Sequence, residues 1–212
     1  DGRPGLAALH LASCEATFAR EGLTISPALR AAVRLGDDRP RGRLQSRVVA
    51  SSLLRAGSDA LDAGSVDAGI ETLRRAAEEA AISSNELLHI DVLMRLGAAL
   101  VHATRGFDGE GAIILHKAMA LARHLGDNLR VAECLRELAF IDVQAGRHTS
   151  ADRSINEAKI LAEVSGNGAL IAGVLAIAGM NAADQGRHQE AVSHLTRSAR
   201  MAHQASRPRQ EA

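Results

Sequence analysis

The sequence predicts an all-α protein, arranged as a right-handed stack of antiparallel helical hairpins. The chain has no Trp, no Tyr and only 3 Phe among 212 residues, whereas strands are usually rich in aromatic and β-branched residues. Four glycines, Gly64, Gly106, Gly146 and Gly186, recur at intervals of 42, 40 and 40 residues. One pattern of small and aliphatic residues follows each glycine. Self-similarity at such a period is typical of stacked helical repeats.

Composition excludes several classes of protein. The formal net charge is +0, so a broad basic surface for nucleic acid is not indicated. Two cysteines, Cys14 and Cys134, imply no disulfide framework, and a cytoplasmic location is expected. No signal peptide is recognisable, and no apolar run approaches the roughly 18 residues of a membrane span. Because the chain starts without Met and within a structural unit, we expect it to be a fragment of a longer protein.

Residues 1–35 are predicted to be the end of an upstream helical domain. Ala7, Leu11, Cys14 and Phe18 lie on one helix face, and Ser26 with the following proline is a natural helix start. The first of these helices matches the second half of a hairpin whose first half would precede residue 2. Residues 36–46 combine Pro, Gly and mixed charge and are predicted to be a linker. Its arginines could contact nucleic acid, but a solvated linker is favoured because no aromatic residue accompanies them.

Residues 47–206 are predicted to form four hairpins, in which each turn glycine precedes a second helix. Small residues at two positions of that helix would let a neighbour approach closely, and an aliphatic residue between them would fill the gap. The four aligned sets are Gly69, Leu73, Ala76 and Ala80; Gly111, Leu115, Ala118 and Ala122; Ala151, Ile155, Ala158 and Ala162; and Ala191, Leu195, Ser198 and Ala202.

The first helices of the hairpins agree less closely with one another. Their equivalent places hold Leu53-Leu54, Leu93 with Leu96-Gly97, Leu135 with Leu138-Ala139, and Leu175 with Ala178-Gly179. The second helices of the first three hairpins are predicted to end at Ser84, Gly126 and Gly166, respectively. Residues 207–212 contain a proline and mixed charge and are expected to be a frayed tail.

The central hairpin resembles a tetratricopeptide repeat. In its first helix, the motif's large residue corresponds to Leu135 and its large–small pair to Leu138-Ala139. The motif's turn glycine corresponds to Gly146. In its second helix, the motif's small, large and small residues correspond to Ala151, Ile155 and Ala158. The family's usual aromatics are missing, and the period near 40 exceeds the usual 34. Longer periods of this kind are similar to the repeats of large bacterial transcriptional regulators, including ATP-dependent LuxR-like ones.

The N-terminal segment resembles the end of the bacterial transcriptional activation domain of antibiotic-regulatory-type activators. The matching stretches are Gly2-Arg3-Pro4, Ala7-Ala8-Leu9, Glu21-Gly22-Leu23 and Ser26-Pro27-Ala28-Leu29-Arg30-Ala31. The resemblance implies a winged-helix DNA-binding domain upstream, so that DNA would be bound only through a domain outside this chain. It implies that the present chain is the helical-repeat effector region.

No catalytic, cofactor-binding or metal-ligating set is predicted, and we expect a non-enzymatic protein without a cofactor. The glycines at 106, 109 and 111 superficially look like a phosphate-binding loop, but such loops join a strand to a helix, and here they coincide with a repeat turn. His188 and His194 lie on different faces of one helix, and no ligand set completes a metal site. Cys134 is predicted to be a buried apolar residue rather than a reactive thiol.

The resemblance implies a binding surface on the first helices, which line the concave face of such stacks. The candidate positions are Met94, His102, Glu133, Arg136, Phe140, Gln144, Met180 and Asp184. Met and Phe suit adaptable packing against an apolar peptide or helix, and Arg136 could hold a carboxylate. We expect the partner to be a protein, a peptide or a small effector, and we do not expect binding to a membrane.

Three functional hypotheses follow. The leading hypothesis is a regulatory repeat region of a bacterial transcriptional activator, which couples effector or partner binding to an upstream DNA-binding domain. The alternatives are a scaffold or adaptor repeat protein, and an accessory repeat region of a signalling ATPase or nucleotide cyclase. An incomplete N-terminal hairpin would expose apolar surface, so an oligomer is also compatible with the sequence.

Overall fold

The structure, a computed structural model, describes residues 42–103, 106 and 108–206, and this part of the chain is helical throughout apart from short turns. The all-α prediction is therefore confirmed for the described residues. The helices are α1 (Arg43–Asp62), α2 (Val66–Ile82), α3 (Glu86–Ala103), α4 (Asp108–His124), α5 (Asn128–Gln144), α6 (His148–Ser165), α7 (Gly168–Asp184) and α8 (His188–Ala205). None of these helices is long and apolar enough to cross a membrane.

The chain divides into two compact units, residues 1–45 and 46–212. The predicted N-terminal helices, most of the predicted linker and the predicted tail lie outside the described residues. Helix α1 begins at Arg43 rather than near Arg47, so the last residues assigned to the linker are helical. The amide of Gln45 donates to the carbonyl of Gly42 at 2.7 Å, which closes the first turn of this helix.

The helices pack in sequence order. The most extensive contacts join α3 to α4, α5 to α6, and α7 to α8, and smaller ones join α2 to α3, α4 to α5, and α6 to α7. Helix α5 also contacts α3 and α7. The largest hydrophobic cluster runs from Ile90 in α3 to Ala178 in α7. The odd-numbered helices α3, α5 and α7 are therefore neighbours of one another as well as of the even-numbered helices.

Small residues set the distance between paired helices. A Cβ atom added to Gly97 of α3 would lie 2.7 Å from the Leu115 Cγ atom of α4, and one added to Gly111 would lie 2.8 Å from a methyl carbon of Val101. Gly57 and Gly69 make the same close approach between α1 and α2. The side chains at these crossings are thus limited by the facing backbone and its aliphatic neighbours.

The predicted turn glycines are confirmed by the backbone. Gly64, Gly106, Gly146 and Gly186 have φ between +68° and +89°, a left-handed conformation that glycine adopts without a steric penalty. The ends predicted for the second helices are confirmed as well, since Gly126 and Gly166 have positive φ, and Ser84 adopts a φ of 55° in the same place.

Three of the four predicted sets of small and aliphatic residues are buried along their whole length. Leu73 and Leu115 are 0% exposed and Ile155 is 6% exposed, whereas the equivalent Leu195 of α8 is 44% exposed. In the fourth set only Ala191 is buried. Helix α8 therefore follows the repeat pattern in sequence but not in burial.

Candidate functional site

The candidate binding residues all lie on the odd-numbered helices α3, α5 and α7, which contact one another. We call this set the odd-helix face. Its members are half-buried at Met94, Glu133, Arg136, Phe140 and Met180 and exposed at His102, Gln144 and Asp184. Partial exposure of apolar and charged side chains together is compatible with ligand contact.

The structure brings His102 and Phe140 together from neighbouring helices. Their ring centroids are 4.8 Å apart with an interplanar angle of 41°. The His102 Nε2–H group donates to a carboxylate oxygen of Glu137 at 2.6 Å. Since α3 supplies the histidine and α5 the other two residues, this cluster fixes one odd-numbered helix against the next.

Glu137 is the residue that sequence reasoning missed. It is only 8% exposed, and it accepts hydrogen bonds from both His102 and Arg136. Burial acts to raise the pKa of Glu137, but these two partners lower it overall. The hydrogen bond to Glu137 in turn raises the pKa of His102 above 6.5, against the opposing effect of burial. The ionised forms of both groups are therefore favoured in the folded protein.

Arg136 has a carboxylate partner within the chain. Its guanidinium pairs with Glu137, and its Cδ atom lies 3.0 Å from where a Cβ atom on Gly173 of α7 would be. The arginine thus crosses over the backbone of α7 at Gly173, where a Cβ atom would require the arginine side chain to shift slightly. An acidic ligand at Arg136 would have to compete with Glu137.

A second ion pair links α3 to α5. Arg130 donates to both carboxylate oxygens of Asp91, at 2.7 Å and 3.1 Å, and also to Asp127 at 2.6 Å. These hydrogen bonds raise the pKa of Arg130, and the hydrogen bond to Asp91 has the largest effect. The bidentate geometry favours one fixed orientation of the two helices. Glu133, half-buried on the same face, has its pKa raised by burial.

An open pocket adjoins this face. It has a volume of about 590 Å³ and is lined by Val101, His102, Ala103, Gly106, Asp108, Phe140 and Gln144. Three of the predicted binding residues therefore share one cavity. A volume in the range of about 300–1,000 Å³ is usual for small-molecule sites, and the lining combines an aromatic pair with a carboxylate and an amide.

The remaining predicted positions are less closely connected. Met94 and Met180 pack at the edge of the main hydrophobic cluster, and Asp184 is exposed at the end of α7. The pocket includes none of these three, nor Glu133 or Arg136. The structure thus separates a His102–Phe140–Gln144 group beside the pocket from the outlying positions.

A buried polar cluster between α6 and α7 was also not anticipated. The Asn181 side chain is fully buried; its amide nitrogen donates to Asp152 at 2.7 Å, and its amide oxygen accepts from His148 Nδ1 at 2.9 Å. The equivalent positions in α3 and α5 are the buried residues Ala99 and Ile141. Alignment of the repeats could therefore have identified Asn181 as a buried amide.

Cys134 is buried and free, and burial, followed by the charges of Glu133 and Glu137, raises its pKa to about 12. Its thiolate is thus strongly disfavoured, as expected from the sequence. Among the described residues, no group of three or more His, Cys, Asp or Glu side chains could hold a metal ion.

Comparison with known proteins gives no further assignment: no protein-family model matches the chain, and the search of curated proteins finds no significant match.

Proposed function

We propose that this chain is a non-enzymatic, ligand-binding helical-repeat region, in which the helices form a right-handed stack of antiparallel tetratricopeptide-like hairpins. The repeated turns and the repeated close approaches between paired helices support this architecture. On this proposal the odd-helix face is the concave surface of the stack. A protein or peptide partner, or a small effector, binds there in the cytoplasm.

The observation that carries the proposal is the pocket beside His102, Phe140 and Gln144. These side chains come from two helices and meet at a cavity of about 590 Å³. Methionines at the margins of the same face can adapt to an apolar partner. The ion pairs of Arg130 and Glu137 hold α3 and α5 in register, so a ligand would meet a largely preformed surface.

The regulatory part of the proposal concerns the longer protein. The repeat region would belong to a bacterial transcriptional activator and pass the binding signal to an upstream DNA-binding domain. A ligand can do so only if it binds two arrangements of the protein with different affinity. The supporting feature is the N-terminal resemblance in sequence. The alternative, a scaffold or adaptor, would use the same face without any effect on DNA binding.

The face can be tested by selecting a random peptide library on the 212-residue chain. Selected peptides should lose affinity for Phe140→Ala and for Asp184→Lys, which reverses an exposed charge on the face. Glu71→Lys on α2 is the matched control, since Glu71 is also exposed and acidic but lies on an even-numbered helix. Equal binding by wild type and both face variants would contradict the proposed surface.

The regulatory role has a separate test. The gene sequence upstream of Asp1 should encode a winged-helix DNA-binding domain. In the longer protein, a selected peptide should change the affinity for promoter DNA, and the Phe140→Ala variant should reduce that change. If the upstream region encodes no DNA-binding domain, the regulator hypothesis is wrong and the scaffold or adaptor hypothesis remains.

A further inference from the structure

Two equivalent crevices in the described part of the chain differ in volume. One is lined by α4, α5 and α6 and has a volume of about 280 Å³. The other is lined by α6, α7 and α8, largely at the equivalent positions of the next repeat, and has a volume of about 60 Å³. We call the larger one the α4–α6 crevice. None of its lining residues belongs to the odd-helix face, so it lies outside the surface proposed above.

A small residue in α4 contributes to the larger volume. The position of Ala112 is held by Ile70 in α2 and by Asp152 in α6. Ile70 packs in a cluster with Leu96 of α3, and Asp152 accepts a hydrogen bond from Asn181 of α7 at 2.7 Å. Both side chains therefore reach across to the next odd-numbered helix. The side chain of Ala112 ends at its Cβ atom, so it does not fill the corresponding space.

An ion pair crosses the preceding crevice at a level where α4 and α6 have none. Arg74 of α2 pairs with Glu110 of α4 at 2.7 Å. An ion pair between Arg123 and Glu157 does join α4 to α6, but it lies towards the other end of α4. The residues of the α4–α6 crevice that are equivalent to Arg74 and Glu110 are His116 and Ser150. Because serine carries no charge, the side chains cannot form this link.

Charged side chains close the crevice of the next repeat. Arg187 pairs with Asp152 at 3.6 Å and with Glu190 at 2.6 Å, and His194 pairs with Glu190 at 3.4 Å. In the α4–α6 crevice the positions of Asp152, Glu190 and His194 are held by smaller residues, namely Ala112, Ser150 and Ser154. The α4–α6 crevice is thus open because short, uncharged side chains replace an ion-paired cluster.

The α4–α6 crevice has an apolar floor and two free hydroxyl groups. Leu135, Leu138 and Ile141 of α5 line it, and each is at most 6% exposed. Ser150 and Ser154 line it from α6, and their hydroxyl groups make no hydrogen bond with another described residue. An apolar group can therefore be buried against α5, while either hydroxyl can donate or accept a hydrogen bond.

The charges of the lining favour an uncharged ligand. Asp142 and Arg147 line the crevice, but they pair with each other at 2.7 Å. The remaining titratable residue of the lining, His116, is exposed to water. A charged group buried on the floor would thus lack a free countercharge, and burying an unpaired charge is costly.

We propose that the α4–α6 crevice binds a small uncharged molecule with an alicyclic or branched aliphatic body and one hydroxyl or amide head. The body lies on the leucines and isoleucine of α5, and the head bonds to Ser150 or Ser154. Small-molecule sites usually have volumes of about 300–1,000 Å³, so a crevice of about 280 Å³ takes a ligand smaller than a typical drug. This binding does not require the odd-helix face.

The experiment titrates cyclohexanol into the 15N-labelled 212-residue protein. The backbone amide resonances of residues 112–119 and 150–154 should shift and reach saturation. Ala112→Ile, which introduces into α4 the side chain of Ile70, should weaken binding by about tenfold or more. Ser154→Ala should weaken it by about two- to tenfold, because a hydrogen bond is lost. Ala120→Ile and Ser193→Ala are matched controls, since both residues are exposed and outside the crevice, and they should leave binding unchanged.

Charged probes test the preference for an uncharged head. Cyclohexanecarboxylate and cyclohexylammonium have the same ring as cyclohexanol, and each should bind at least about tenfold more weakly. Tighter binding of either charged probe would contradict the proposed ligand class.

Three further results would overturn the proposed site. They are the absence of a saturable shift with cyclohexanol, equal binding by wild type and Ala112→Ile, and shifts confined to residues 101–103, 140 and 144, which line the pocket beside the odd-helix face. Circular dichroism checks that each variant keeps the helix content of the wild type. If Ala112→Ile loses helix content, the comparison of Ser154→Ala with Ser193→Ala decides, and equal binding by these two variants would then overturn the site.

Discussion

Helices α4 and α8 follow equivalent turn glycines and carry equivalent small and aliphatic residues, yet they differ in burial. Leu115 of α4 is 0% exposed, whereas Leu195 of α8 is 44% exposed. Among the described helices, α4 is packed by both α3 and α5, whereas α8 is packed by α7 and reaches α6 through an exposed ion pair between Arg197 and Glu163. An amphipathic pattern therefore specifies which face of a helix can be buried, but a neighbouring helix must supply the cover.

The largest expected difference between the two helices concerns these leucines. Leu115→Ala should lower the free energy of unfolding by about 2–5 kcal/mol, because it leaves a cavity in a closed core. Leu195→Ala should cost about 1 kcal/mol or less, since much of that side chain is already in water. Urea unfolding of both variants measures the difference, and equal losses would show that α8 is covered in solution.

Substituting alanine for the glycines that face these two leucines should also destabilise the protein more at α4 than at α8, but by a smaller difference. Gly97→Ala should cost about 1–3 kcal/mol, because its Cβ atom would meet the enclosed Leu115 at 2.7 Å. Gly179→Ala would meet Leu195 at 2.6 Å, but Leu195 can turn towards solvent, so its cost should be lower. Gly109→Ala is the control, since nothing lies within 4 Å of its added Cβ atom. Thermal unfolding would reveal the order, and a greater loss for Gly179→Ala would contradict it.

The buried amide of α7 gives a third test of how a covered helix differs from an exposed one. Asn181→Ala should lower the free energy of unfolding by about 1–3 kcal/mol, because His148 and Asp152 lose their partner between α6 and α7. Asn128→Ala, at the exposed start of α5, should have little effect. Chemical denaturation of the two variants compares them, and an equal response would show that the buried cluster contributes nothing.

The smallest expected effect is a pH dependence from the contact between α3 and α5. The raised pKa of His102 means that its stabilising contribution is complete below 6.5 and is lost as the pH rises through the folded value. The lowered pKa of Glu137 means that its contribution is present above 4.5 and is lost as the pH falls through its folded value. The equivalent positions in α5 and α7 hold Gln144 and Ile177, which do not titrate.

The pH dependence can be isolated with His102→Gln. The difference in Tm between wild type and this variant should be largest just below pH 6.5 and should shrink as the pH rises further. His124→Gln, which alters an exposed histidine of α4, should show no such trend. A difference that is constant across this range would assign the effect of His102 to packing on Phe140 rather than to its charge.

Much of the local structure could be predicted from sequence because it depends on near neighbours. Gly146 is required by a left-handed turn, and Ala151, Ile155 and Ala158 fall on one face of α6 whatever surrounds it. The odd-helix face was harder to predict. Met94, Phe140 and Gln144 could be placed on it by repeat position, but the importance of Glu137 depends on His102, which lies 35 residues earlier in the chain.

By itself the sequence determined that the described chain is helical, where its helices turn, and which of their faces are apolar. These properties follow from backbone preference and from the 3.6-residue period, which act over a few residues. The tertiary structure alone decided that Glu137 is shared by two cations, that Asn181 is hydrogen-bonded in the core, and that Leu195 of α8 is exposed. Each depends on which helix lies opposite, since burial and ion pairing depend on distances through space rather than along the chain.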